Sequence, residues 1–215
     1  MKIIDIENWD RKVIYNNFIG YTNPIFSISA RLDVTALHSF CKRENKSFFT
    51  TFMYVATKCL NGVEEFRQRL KDGNVVLYDV IDPSFIVKRP DGVISACRTA
   101  MTDDYGEFYR SARENQKAAQ EATTPYFNGD NANDLFFISC MPWVDIRSFS
   151  NPYDLKNPDV SSIPRIMWSK FVPENGQLKM TFDVAAHHAL IDGEPVCRAI
   201  GLIQDALNNI TEFLK

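Results

Sequence analysis

The run Gln177-Leu178-Lys179-Met180-Thr181-Phe182-Asp183-Val184-Ala185-Ala186-His187-His188-Ala189-Leu190-Ile191-Asp192-Gly193 alternates in side-chain character and then breaks at a glycine. Strand periodicity puts Leu178, Met180, Phe182, Val184, Ala186 and His188 on one face and Lys179, Thr181, Asp183, Ala185 and His187 on the other. Asn175-Gly176, just upstream, is a turn dipeptide. Past Gly193, which permits a sharp turn, Glu194-Pro195 suits the opening of a helix, and Val196, Ile200, Ile203, Leu207 and Ile210 recur at helical spacing. The segment therefore predicts a turn, a strand, a sharp corner and a helix, with two histidines at the corner.

The same periodicities extend outward. Phe26 to Val34 alternates as a half-buried strand. One helix is expected from near Asp33 to Arg43 and a second, capped by Ser47, to Leu60 or beyond. Short strands are expected at Val75–Tyr78, Phe85–Lys88, Val93–Cys97, Leu135–Cys140 and Ile163–Val172. Asp104 to Ala122 reads as an exposed amphipathic helix. Strands and helices intermingle without regular β-α alternation, and no linker divides the chain. The expected fold class is α+β, a mixed, largely antiparallel sheet covered by helices, in a single domain over residues 1–215.

Composition is that of an ordinary globular protein: 45% hydrophobic and 24% charged residues, with a net charge of −3. No basic run points to nucleic acid or to an anionic membrane. Sixteen phenylalanines within a 13% aromatic share suit a large core, an aromatic pocket or a subunit interface. Five scattered cysteines, Cys41, Cys59, Cys97, Cys140 and Cys197, form no Cys-x-x-Cys pair, which argues against a disulfide framework and a cysteine-rich zinc site. Acids within the first seven residues argue against a signal peptide, and no run of about 18 apolar residues suggests a membrane span. The expectation is a soluble cytoplasmic protein.

The strand register sends the two histidines in opposite directions. His188 ends the apolar face, where partial desolvation favours a neutral imidazole that can take a proton from a hydroxyl. Acyl transfer to an alcohol needs such an acceptor. On spacing alone three readings stand: Asp192 as helix N-cap with His188 in the core, a metal site built from His187, His188 and Asp192, or a catalytic base at His188. Divergence of adjacent strand residues weighs against the metal, as does the scarcity of other histidines, His38 being the third.

His187-His188-Ala189-Leu190-Ile191-Asp192-Gly193 resembles the His-His-x-x-x-Asp-Gly motif of chloramphenicol acetyltransferases. The likeness runs along the chain: Asn8-Trp9-Asp10-Arg11 resembles the family's Asn-Trp-x-Arg, Asp79 to Phe85 its Asp-x-x-Asp-Pro-x-Phe, and Ser139-Cys140-Met141-Pro142-Trp143 its Ser-x-x-Pro-Trp. The resemblance implies direct attack of an acceptor hydroxyl on acetyl-CoA, with no acyl-enzyme and no metal. It implies His188 as general base, Ser139 as donor to the oxyanion, and a structural Asp192–Arg11 pair. It places Trp143, Lys170 and Phe171 at CoA, and Phe18, Phe26 and Met167 at the acceptor. It further implies a two-layer sandwich assembled as a homotrimer, with active sites between subunits and a small-molecule hydroxyl acceptor, chloramphenicol first among them.

Three positions depart from the family pattern. Its usual Asp-Gly-Phe-His is Asp192-Gly193-Glu194-Pro195 here, an expected Phe-Tyr pair is Asn17-Phe18, and a threonine near the reacting centre is Met167. A different small alcohol, or a non-catalytic CoA-binding trimer, therefore stands beside the chloramphenicol reading.

Overall fold

The computed structural model describes residues 1–123 and 132–215. In chain order its elements are β1 (Lys2–Ile3), α1 (Lys12–Phe18), β2 (Ile25–Asp33), α2 (Thr35–Arg43), α3 (Phe48–Asn61), β3 (Gln68–Lys71), β4 (Asn74–Leu77), β5 (Asp82–Lys88) and β6 (Ile94–Arg98). Then come α4 (Tyr105–Glu121), β7 (Leu135–Met141), α5 (Pro158–Ser161), β8 (Arg165–Ser169), β9 (Val172–Glu174), β10 (Gln177–His187), α6 (Gly193–Asn208) and α7 (Ile210–Phe213). Helix starts follow their caps: Ser47 accepts from the Thr50 amide and Asp104 from the Glu107 amide. The Asp33 carboxylate accepts from the backbone N–H and the hydroxyl of Thr35, so α2 begins two residues after Asp33.

The main sheet has seven strands in the order β2-β10-β8-β7-β5-β6, with β9 on β10. β5–β7 and β7–β8 are parallel and the other pairs antiparallel. β10 lies inside this sheet, between β2 and β8, as the fully hydrogen-bonded partner of both. A small sheet, β1-β4-β3, is tied to β7 by the buried Arg69, whose guanidinium donates to the carbonyls of Phe66, Gln68, Asn133 and Leu135.

The even-numbered residues of β10, Met180 to Ala186, join Ile166, Trp168, Ile138 and Phe85 in the core under α3 and α6. Phe52 of α3 packs edge-on against Trp168 and Phe182, with ring centroids 4.9 and 5.8 Å away. This is the helix-covered layer. The opposite face carries Thr181, Asp183 and Ala185 of β10, Arg165 and Met167 of β8, and Phe137, Ser139 and Met141 of β7, set side by side by the strand register.

β10 is buried on both faces from Met180 to His187. Its polar face is roofed by Arg31 on Thr181 (3.1 Å), Ser29 on Asp183 (2.6 Å) and the Tyr153 hydroxyl on the Ala185 carbonyl (3.2 Å). The strand expected over Ile163–Val172 divides into β8 and β9, because the Lys170 amide turns away to the Val144 carbonyl (3.2 Å).

Candidate active site

β10 ends at His187, and its last register partner is Ile25 of β2. The His188 amide extends that ladder by donating to the Pro24 carbonyl (2.8 Å). The amides of Leu190 and Ile191 both donate to the His187 carbonyl, closing the corner. His187 turns into the protein and is 3% exposed. Its Nδ1 accepts from the Ala189 amide (3.3 Å), and burial, helped by the neighbouring His188, holds its pKa down at about 4. The deeper of the two histidines is thus His187, whereas alternation alone pointed to His188.

His188 is half-buried between two rings. Phe18, the last residue of α1, stacks on the imidazole with centroids 3.9 Å apart and planes within 11°. Phe26 of β2 lies against it at 4.6 Å. Nδ1 is sealed from solvent without a hydrogen-bond partner among the described residues, and Nε2 makes no hydrogen bond among them either. An imidazole clamped between two aromatic rings has little orientational freedom left to lose when it meets a partner.

Asp192 occupies the N-cap position of α6 but makes no side-chain cap. Its carboxylate instead takes a two-pronged bond from Arg11, at 2.6 and 3.1 Å, across 181 residues of sequence. The two side chains are 15% and 27% exposed. This pair fastens the segment before α1 to the start of α6, and so fixes Phe18 and the His188 corner relative to each other. The positive end of the α6 dipole adds to the attraction. The N-cap reading of Asp192 is right in place but not in the bond it makes.

Ser139 stands on β7, paired in register with Met167 of β8 and, one strand further, with Asp183 of β10. Its hydroxyl makes no hydrogen bond among the described residues. It lines an open cleft of about 570 Å³ with Ile86, Phe137, Met141, Arg165 and Met167. Sequence reasoning found Ser139 and Met167 here but missed Ile86, Phe137, Met141 and Arg165. Their only signal was strand alternation on β5, β7 and β8. Trp143 is 67% exposed and Lys170 exposed beside it, on loops joined by the Lys170–Val144 backbone bond. Phe171 packs away from both, against Phe48 (5.0 Å) and His38 (5.1 Å).

Ser139 and His188 do not meet within the chain. Ser139 is level with Asp183, and His188 lies five residues beyond that point and two strands across, a separation on the order of 15–20 Å from strand geometry. Burial pushes the Cys140 thiol up to about 12, so it offers no thiolate nucleophile. Among the described residues no group of His, Cys, Asp or Glu is arranged to hold a metal ion, and no helix is long and apolar enough to cross a membrane.

The sequence profile described as chloramphenicol acetyltransferase matches residues 1–204. The chain belongs to the chloramphenicol acetyltransferase family. A chloramphenicol acetyltransferase from Campylobacter coli is 29% identical over 207 residues, covering 95% of this chain and 97% of that protein. A solved chloramphenicol acetyltransferase superposes with a TM-score of 0.88 at 29% identity, over 100% of this chain and 99% of that one. The dihydrolipoamide acetyltransferase of Azotobacter vinelandii shares the fold alone, with a TM-score of 0.68 at 15% identity over 100% of this chain and 93% of that one. As a chloramphenicol acetyltransferase family member the protein is an O-acetyltransferase, and the family's co-substrate is acetyl-CoA. The mixed α+β fold expected from the sequence is the family's fold.

Proposed function

We propose that the protein moves the acetyl group of acetyl-CoA to a hydroxyl of a small acceptor by direct attack, with His188 as general base. Chloramphenicol is the acceptor to which the related enzymes point. The acceptor hydroxyl donates to Nε2 of His188, which takes its proton as the oxygen attacks the thioester carbonyl. The Ser139 hydroxyl donates to the oxyanion of the tetrahedral intermediate. Collapse of that intermediate expels the CoA thiolate, to which the imidazolium returns the proton. Arg11 and Asp192 are positioning residues that hold the corner carrying the base.

One observation carries this reading. His188 and Ser139 each sit in a half-formed site and lie too far apart in one chain to share a substrate. A cyclic homotrimer resolves that, with His188 of one subunit facing the Ser139 cleft of the next. Exposed apolar residues flank both halves, Ile19 and Tyr21 near His188 and Ile86 and Ile94 near the cleft, as a subunit contact requires. Trp143 and Lys170, exposed together at the Ser139 end, supply a wall and a cation for CoA. Phe18 and Phe26 flank the base, and Met167 narrows the acceptor cleft.

A thiol-release assay with acetyl-CoA and a panel of alcohols that includes chloramphenicol tests the proposal. Release that depends on the acceptor and is lost in His188→Ala supports it. Release without acceptor dependence, or unchanged in His188→Ala, defeats it and leaves the non-catalytic reading.

A further inference from the structure

Arg165 is the unexpected member of the acceptor cleft. Its side chain rises from β8 beside Met167, on the face that carries Ser139. The guanidinium lies over the rings of Phe137 (4.2 Å) and Tyr153 (4.8 Å). It makes no ion pair or side-chain hydrogen bond among the described residues. Two other arginines on this side of the sheet are paired: Arg31 with Asp145 and Glu174, and Arg98 with Asp82 and Asp134. Asp183, a carboxylate on the same face, accepts from Ser29 at Oδ2 (2.6 Å), keeps Oδ1 without a hydrogen-bond partner among the described residues, and forms no ion pair with Arg165. Burial pushes the Arg165 pKa down, as it does for a cation short of a counter-charge.

A cation held between two rings, half out of water and without a partner, is poised for an anion. Its planar fork matches a carboxylate best. From the register, Arg165 stands roughly 8 Å from Ser139 along the sheet, the span of a small aromatic ring with a substituent at each end. Ile86, Phe137, Met141 and Met167 line the space around it with apolar surface. We propose that Arg165 selects the acceptor, and that the preferred acceptor is an alcohol with an apolar body and a carboxylate that docks on this guanidinium while the hydroxyl reaches the Ser139 end. This rests on the reading of the cleft as the acceptor site of an acetyltransferase and refines its substrate class.

The test uses a matched pair, para-(hydroxymethyl)benzoate and its methyl ester, with chloramphenicol as a second neutral acceptor, in the full-length wild type and in Arg165→Met. The expected result is a preference for the carboxylate of at least tenfold in kcat/KM in the wild type, which Arg165→Met abolishes or inverts. Calorimetric binding of the carboxylate should be lost in Arg165→Met and kept in His188→Ala. A wild type that favours the ester and chloramphenicol, or an Arg165→Met variant that loses all acceptors equally, overturns the proposal. So does dissociation of the assembly in Arg165→Met, which would make Arg165 a subunit contact. If no acceptor is acetylated at all, the functional reading fails. The calorimetry then still decides Arg165, since carboxylate binding that vanishes in Arg165→Met upholds the anion site and its absence in the wild type rejects it.

Discussion

His187 and His188 carry the same imidazole into opposite surroundings. His187 is sunk behind Tyr15, Tyr21 and Pro24 with its Nδ1 accepting from the Ala189 amide, while His188 stands between Phe18 and Phe26. Each therefore fails in its own way. Because the folded-state pKa of His187 is depressed to about 4 from 6.5, the unfolded chain takes up its proton first as pH falls. Stability from this site is full above about pH 6.5 and declines toward pH 4 at up to about 1.4 kcal/mol per unit, then levels off. His187→Asn, which keeps an acceptor for the Ala189 amide and does not titrate, should flatten urea-denaturation stability over that window. An unchanged slope would place the titration elsewhere. At Ser139, the proposed oxyanion donor, the expected loss is catalytic. Ser139→Ala should lower kcat about 10²–10³-fold with little change in KM, as removal of one oxyanion donor does. Steady-state kinetics in acetyl-CoA and acceptor check both terms, and a loss confined to KM would contradict the role.

Between elements, the Arg11–Asp192 bond joins the approach to α1 to the first turn of α6 and stands close to His188 without belonging to its chemistry. Arg11→Ala strands a part-buried carboxylate and should lower stability by about 3 kcal/mol, the low end for an uncompensated buried charge. Denaturant titration measures that, and a change below about 0.5 kcal/mol would return the pair to an ordinary surface salt bridge. The elements themselves were readable in advance wherever local rules govern them. Ser47 caps the helix it was expected to cap, the helix expected from Asp104 starts there, and Asn175-Gly176 forms the turn before β10 with positive φ at both residues. The break between β8 and β9 was not readable, because it depends on a bond from Lys170 to Val144, which lies in a distant loop. Nor was the Arg165 cleft. An arginine on a strand's mixed face looks like any solvated cation until Phe137 and Tyr153 are seen around it.

At the scale of the whole molecule, under the proposed mechanism one chain holds two halves of a site that face different neighbours. The β2–β10 corner carries His188, the proposed base, and the β5–β7–β8 face carries Ser139, the proposed oxyanion donor, with the cleft beside it. In a ring of three, each subunit lends its corner to one neighbour and receives a corner from the other. The motif strings singled out Arg11, Ser139, His188 and Asp192 as the proposed site residues, and of these the fold joins Arg11 to Asp192. The proposed partition of those residues between two subunits is implied only by the family resemblance, since no spacing along the chain encodes it.

The most direct measurement of this account mixes two inactive parents. His188→Ala keeps the Ser139 cleft, and Ser139→Ala keeps the base. Unfolded together and reassembled, they form hybrid trimers in which a base from one parent meets a cleft from the other. Random assembly from equal amounts rebuilds about a quarter of the sites, so thiol release should recover to about that fraction of wild type. Activity no higher than the mean of the separately refolded parents would mean that base and oxyanion donor serve the same chain, and would contradict a site shared between subunits.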